Sequence, residues 1–93
     1  MKAKMLGNYK AKDIELCRTT SRNAGQQTVE ALVESRIPFT KISKRIPFFQ
    51  REKYHGATEV HVISINMEQY GQARRVIDHM ETLYRKKLVV SNY

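Results

Sequence analysis

The chain has one cysteine, Cys17, in 93 residues. An internal disulfide is therefore excluded, and a reducing, cytoplasmic setting is expected. No apolar run approaches the length of a bilayer-spanning helix. The first ten residues, "MKAKMLGNYK", are basic but lack the apolar stretch of a signal peptide. Motifs that carry chemistry are also scarce: there is no Gly-rich phosphate loop, no nucleophile elbow and no paired catalytic carboxylate pattern. His55, His61 and His79 are not spaced as a metal set, and no cysteine pair accompanies them. The expectation is a non-enzyme without metal or cofactor.

What the chain does have is positive charge. Seventeen Lys and Arg oppose nine Asp and Glu, a net charge of +8. Such a surface is drawn to polyanions at low salt, although charge alone names no partner.

Residues 1–12, with Lys2, Lys4, Lys10 and Lys12, read as a basic N-terminal arm leading into a single domain over 13–93. "DIELCRTT" (13–20) alternates apolar Ile14 and Leu16 with polar neighbours, as a strand does. In "SRN", Asn23 is placed to N-cap a helix, with Gln26 as its capping-box partner. Gly25, Val29, Leu32, Val33 and Arg36 then recur at helical spacing.

"RIPFTKISKRIPFF" (36–49) contains the tetrapeptide Arg-Ile-Pro-Phe twice, nine residues apart. Nine is odd, so equivalent residues of the two copies would face opposite sides of an unbroken strand. A repeated binding face is thus excluded unless a bulge intervenes. Pro38 ends the helix before it. Pro47 belongs at a strand end or a sheet edge, and Lys41 and Lys44 suit an edge as well. Thr40 to Arg45 reads as an edge strand. "TEVHVISIN" (58–66) is almost continuously apolar and reads as a central one. "MEQYGQARRVIDHMETLYRKK" (67–87) predicts a second helix with Tyr70, Ala73, Val76, Ile77, Met80 and Leu83 or Tyr84 inward. "LVV" (88–90) closes the sheet.

The order β-α-β-β-α-β predicts an α+β, ferredoxin-like two-layer sandwich, an antiparallel sheet with two helices on one face. Strands two and four are then edges, and one and three central. With the other sheet face free of helices, Cys17, Val60 and Val62 are candidate self-association residues, and a homodimer is expected. The alternative cover is Phe48, Phe49 or Tyr54 folding back from the connection.

"QTVEALVESRIPFTKI", "EVHVISI" and "EQYGQARRVIDHM" together resemble the small signal-transducing proteins, over roughly residues 13–83. In those proteins a helix runs into a Gly-Ile-Pro-like junction; here Arg36 stands where glycine is frequent. That family has no settled biochemical activity. The resemblance implies a ferredoxin-like regulatory or binding module.

Two further sites are candidates. "TTSRNAG" (19–25) puts Ser21, Arg22, Asn23 and Gly25 at a helix start, where either an anion or simple capping would be served. In 44–56, Lys44, Arg45, Arg51 and Lys53 alternate with Phe48, Phe49 and Tyr54. Lys44, Arg45, Phe49, Arg51, Lys53 and Tyr54 form a candidate nucleic-acid site, with cations for phosphates and aromatics for bases of RNA or single-stranded DNA. The competing reading packs the phenylalanines inward as core. Three functions follow: a non-catalytic regulatory or protein-binding module, a nucleic-acid-binding protein, and a small-ligand sensor at a dimer interface. No membrane partner is expected. The leading reading is the first, and the orientation of the 44–56 aromatics discriminates it from the second.

Overall fold

The computed structural model describes residues 12–91; the basic arm expected over 1–12 lies outside them apart from Lys12. Four antiparallel strands form one sheet in the order β2-β3-β1-β4. They are β1 (Asp13–Thr19), β2 (Phe39–Arg45), β3 (Glu59–Asn66) and β4 (Val89–Val90). The helices are α1 (Arg22–Glu34), α2 (Tyr70–Asp78) and the single turn α3 (Thr82–Arg85). β2 and β4 are thus the edges, and the apolar run of β3 lies in the interior of the sheet. No helix among the described residues is long and apolar enough to cross a membrane.

Pairing sorts the strand residues onto two faces. Ile42 pairs with Val62, Val62 with Arg18, and Arg18 with Val89, one continuous row across all four strands. The neighbouring row on β3 contains His61, which lies against Gly25 of α1. His61, Ile63 and Ile65 therefore face the helices, and Val60, Val62 and Ser64 face away. Leu16, Leu32, Ile37, Ile63, Ile65, Ala73 and Ile77 form the buried core between sheet and helices.

Four local expectations are corrected. Cys17 is not on the helix-free face: a bulge between Glu15 and Cys17 inserts Leu16 as an extra residue. Both Leu16 and Cys17 then turn into the core. The α1 N-cap is Ser21, whose Oγ accepts from the Ala24 amide at 3.2 Å, not Asn23, and Gln26 donates to Glu30 instead. Val33 is exposed, because Ala24, Thr28 and Leu32 define the buried stripe. The helix expected over 67–87 breaks into a 3-10 turn (Met67–Gln69), α2 and α3. A continuous helix of that length would run about 32 Å, whereas the longest strand, eight residues, spans about 26 Å. The break at 79–81 turns the chain back in time to enter β4, with Tyr84 rather than Leu83 packed on the core.

The first Arg-Ile-Pro-Phe is the junction from helix to strand. Arg36 takes a left-handed conformation at φ 59°. The Ile37 amide donates to the Leu32 carbonyl and the Arg36 amide to that of Val33, a Schellman closure with Ile37 and Leu32 both buried.

Candidate functional site

β2 ends at Arg45, and the chain is pinned at once by Ile46. Its side chain is buried and its amide donates to the Thr58 carbonyl at 2.8 Å, closing the base of a loop. Pro47 supplies the fixed φ of −57° from which a 3-10 helix, Phe48–Tyr54, departs. Two successive left-handed residues, His55 and Gly56, end it. The Gly56 amide returns to the Arg51 carbonyl at 2.7 Å.

This short helix buries none of its residues. Phe48 is 83% exposed and Phe49 79%, so the expectation that both pack inward as core is overturned. The physical reason is geometric: a 3-10 helix beyond the sheet end has no second layer to meet. Arg51 crosses back to the loop base, donating from Nε to the Ile46 carbonyl at 3.3 Å. Its guanidinium lies 5.9 Å from the Phe48 ring centroid, within cation–π reach. Lys44, Arg45 and Lys53 are exposed beside them. Of the six candidate residues Arg51 and Tyr54 are half-buried, and the other four are exposed.

The helix-free face offers less than expected for self-association. Val60 is already covered, Val62 is half-buried and Cys17 is in the core. Its exposed apolar residues are Ile42 and Val89, at opposite edges. Between them sits a bidentate ion pair, Arg18 Nε and Nη2 on the two Glu15 carboxylate oxygens at 2.7 and 2.6 Å. That hydrogen bonding holds the Glu15 carboxyl below its ordinary pKa.

At the start of α1 the candidate anion residues are occupied with structure. The Ser21 hydroxyl caps Ala24, and the Ser21 amide donates to Thr19 Oγ1 at 3.0 Å. Gly25 packs on Thr19 and His61. Arg22 and Asn23 are exposed, and Arg22 makes a loose 3.9 Å approach to Glu59. Burial, aided by the charge of Lys41, holds His61 below its ordinary pKa, and Nδ1 is 2.8 Å from Ser43 Oγ. No group of His, Cys, Asp and Glu among the described residues could hold a metal. Burial and the Glu15 charge push the Cys17 thiol up to about 12, which removes it as a nucleophile near neutral pH.

An open groove on the helical surface is lined by Glu30, Glu34 and Glu81, with Arg75 the cation among them. The three carboxylates outnumber that cation, so the groove suits a polyanion less well than the 44–56 segment does. The residues that sequence reasoning missed are Lys86 and Lys87. Their signal is the run Arg85-Lys86-Lys87, but only the strand order brings it near the other cations. Comparison of the chain with family models, with curated proteins and with solved structures finds no match.

Proposed function

We propose that the protein binds single-stranded nucleic acid, RNA or DNA, through the basic aromatic segment 44–56. The observation that carries this is the exposure of Phe48 and Phe49. The chain has three phenylalanines, and burying one contributes about 1.5–3 kcal/mol to a domain whose net stability is about 5–15 kcal/mol. Two of the three are left in water, a loss of core that an interaction surface explains. Lys44, Arg45, Arg51 and Lys53 around them select a polyanionic partner, and the flat rings offer stacking platforms for bases.

The element order and the arrangement β2-β3-β1-β4 support a ferredoxin-like reading of the fold. A cytoplasmic location suits the lone thiol. The module is read as non-catalytic, and the likeness to the small signal-transducing proteins then bears on architecture rather than on partner.

The test is fluorescence anisotropy with labelled single-stranded oligonucleotides at about 0.15 M salt, beside anionic phosphatidylserine vesicles. Oligonucleotide binding that weakens on Phe48→Ala or Phe49→Ala is the expected result. Binding to vesicles but not to oligonucleotide, or to neither, would overturn the proposal.

A further inference from the structure

All four strands bring one end to the same side of the sheet. β1 and β2 finish there, and β3 and β4 begin there, as their antiparallel pairings require. The connections at that end are the start of α1, the 46–58 loop and the chain between α3 and β4. The third is tied to the first through Thr19, whose Oγ1 donates to the Lys87 carbonyl at 2.7 Å and accepts from the Ser21 amide at 3.0 Å. The first is tied to the second through the approach of Arg22 to Glu59, and Glu59 pairs with Arg45 across the sheet.

Cations therefore follow the strand order across this end: Lys44 and Arg45 at β2, Arg22 beyond β1, Lys86 and Lys87 before β4. The Arg22 side chain is 83% exposed, and Lys86 and Lys87 are exposed as well. Glu59 lies on the line and Glu52 is exposed on the 48–54 helix; the 3.9 Å distance of Glu59 from Arg22 is too long for a hydrogen bond. Three strand spacings of about 4.8 Å make the row about 14 Å wide. Successive phosphates of a single strand lie farther apart than the axial rise of a duplex, so a strand crosses the row in only a few phosphates.

Resting on the proposed function, we infer that the site has two parts. Bases stack on Phe48 and Phe49, and the backbone continues from Arg45 past Arg22 to Lys86 and Lys87. The partner this geometry takes is a single strand longer than the few nucleotides that the 44–56 segment engages alone. A path that stopped at the loop would leave Lys86 and Lys87 outside it.

The experiment uses labelled oligothymidylates of about four and about ten nucleotides against the full chain. The variants are a triple, Arg22→Gln, Lys86→Gln and Lys87→Gln, and a double, Phe48→Ala and Phe49→Ala. The triple changes only exposed side chains and keeps the Lys87 carbonyl, so the fold is retained. With the ten-nucleotide probe, the triple is expected to reduce the salt slope by about 2, at roughly 0.7 per lost phosphate contact. Between about 50 and 200 mM salt its affinity then falls about 20-fold less than that of the parent. The four-nucleotide probe, its bases stacked on Phe48 and Phe49 and its few phosphates taken by Lys44, Arg45, Arg51 and Lys53, is expected to bind the triple with an unchanged slope. An unchanged slope on the longer probe, with the double variant still weakening binding, overturns the extended path and leaves the loop site standing. Insensitivity of both probes to the double variant overturns the loop site and the path together.

Discussion

Removing Phe48 and Phe49 separates binding from folding in a way few substitutions allow. Only about a fifth of either residue's surface is covered in the fold. A phenylalanine carries about 150–250 Å², so each →Ala change exposes about 30–50 Å². At about 25 cal/mol per Å² that is about 1 kcal/mol of stability, an upper bound because the unfolded chain also covers some surface. A phenylalanine packed in a core would cost about 3–5 kcal/mol instead. For a domain of this size 1 kcal/mol moves the melting midpoint by about 4–8 °C. Loss of a stacked base, by contrast, costs about 1–3 kcal/mol of binding, or about 5- to 150-fold in Kd. Thermal melts by circular dichroism and oligonucleotide anisotropy on the same samples therefore give the answer. A small melting shift with a large loss of affinity is expected for Phe48→Ala, and likewise for Phe49→Ala. Unchanged Kd in both folded variants would refute the stacking argument. A melting loss of 3 kcal/mol or more at either position would refute the exposed placement on which it rests.

Three further outcomes follow from single residues. Arg36 holds φ 59° at the end of α1, a conformation costing an L-residue about 1–2 kcal/mol; glycine removes that cost but loses about 0.5–1 kcal/mol to unfolded-chain entropy. Arg36→Gly should thus raise stability in urea by about 0.5–1 kcal/mol, and any destabilisation would contradict the assignment. His61 is held below its ordinary pKa by burial and by Lys41, so its neutral form belongs to the fold. Its contribution is fully present above the unfolded value of 6.5 and is lost as pH falls toward the folded one. Urea unfolding should therefore show stability declining below about pH 6.5, a slope that His61→Gln flattens. Cys17, with its thiol pushed up to about 12 and no exposed surface, should resist a thiol-reactive dye at pH 8 until the protein unfolds. Rapid labelling of the native chain would show that the bulge does not bury it.

Legibility in the sequence followed the range of the interactions. β2 and β3 were readable because proline, lysine and a near-continuous apolar run report directly on edge and centre. The face of Cys17 was not, because the bulge at Leu16 is set by pairing with β3 and breaks an alternation that looks intact along the chain. The N-cap moved from Asn23 to Ser21 for a similar reason. Thr19 Oγ1 takes the Ser21 amide and ties to Lys87, 68 residues away, so the start of α1 is set in part by the turn that leads into β4. The helix break at 79–81 follows from the length of the sheet, which no local pattern encodes. At the candidate site the residue types were legible in 44–56, but the aim of the aromatics was not. Lys86 and Lys87 joined that surface only through strand order.

The two copies of Arg-Ile-Pro-Phe show why the aim was hidden. Their isoleucines, Ile37 and Ile46, are both buried and each closes a junction. Their phenylalanines part company. Phe39 opens β2 opposite Ile65, on the helix-covered face, and packs against the core. Phe48 follows Pro47 at the far end of the same strand, where the backbone leaves the sheet and coils. Identical local chemistry thus gives one ring packed against the core and one ring in water, decided by whether β3 still has a residue to pair with. Pro47 contributes by having no amide with which to continue a ladder, and Ile46 by fixing where the departure begins. Shifting that departure should shift the ring. Ile46→Ala removes the buried side chain of the pin, though not its amide bond to Thr58, at a cost of about 2–5 kcal/mol. It should also loosen the 48–54 helix, so that oligonucleotide affinity falls in the fraction that stays folded. If affinity per folded molecule is unchanged in Ile46→Ala, the rings do not depend on the pin for their placement.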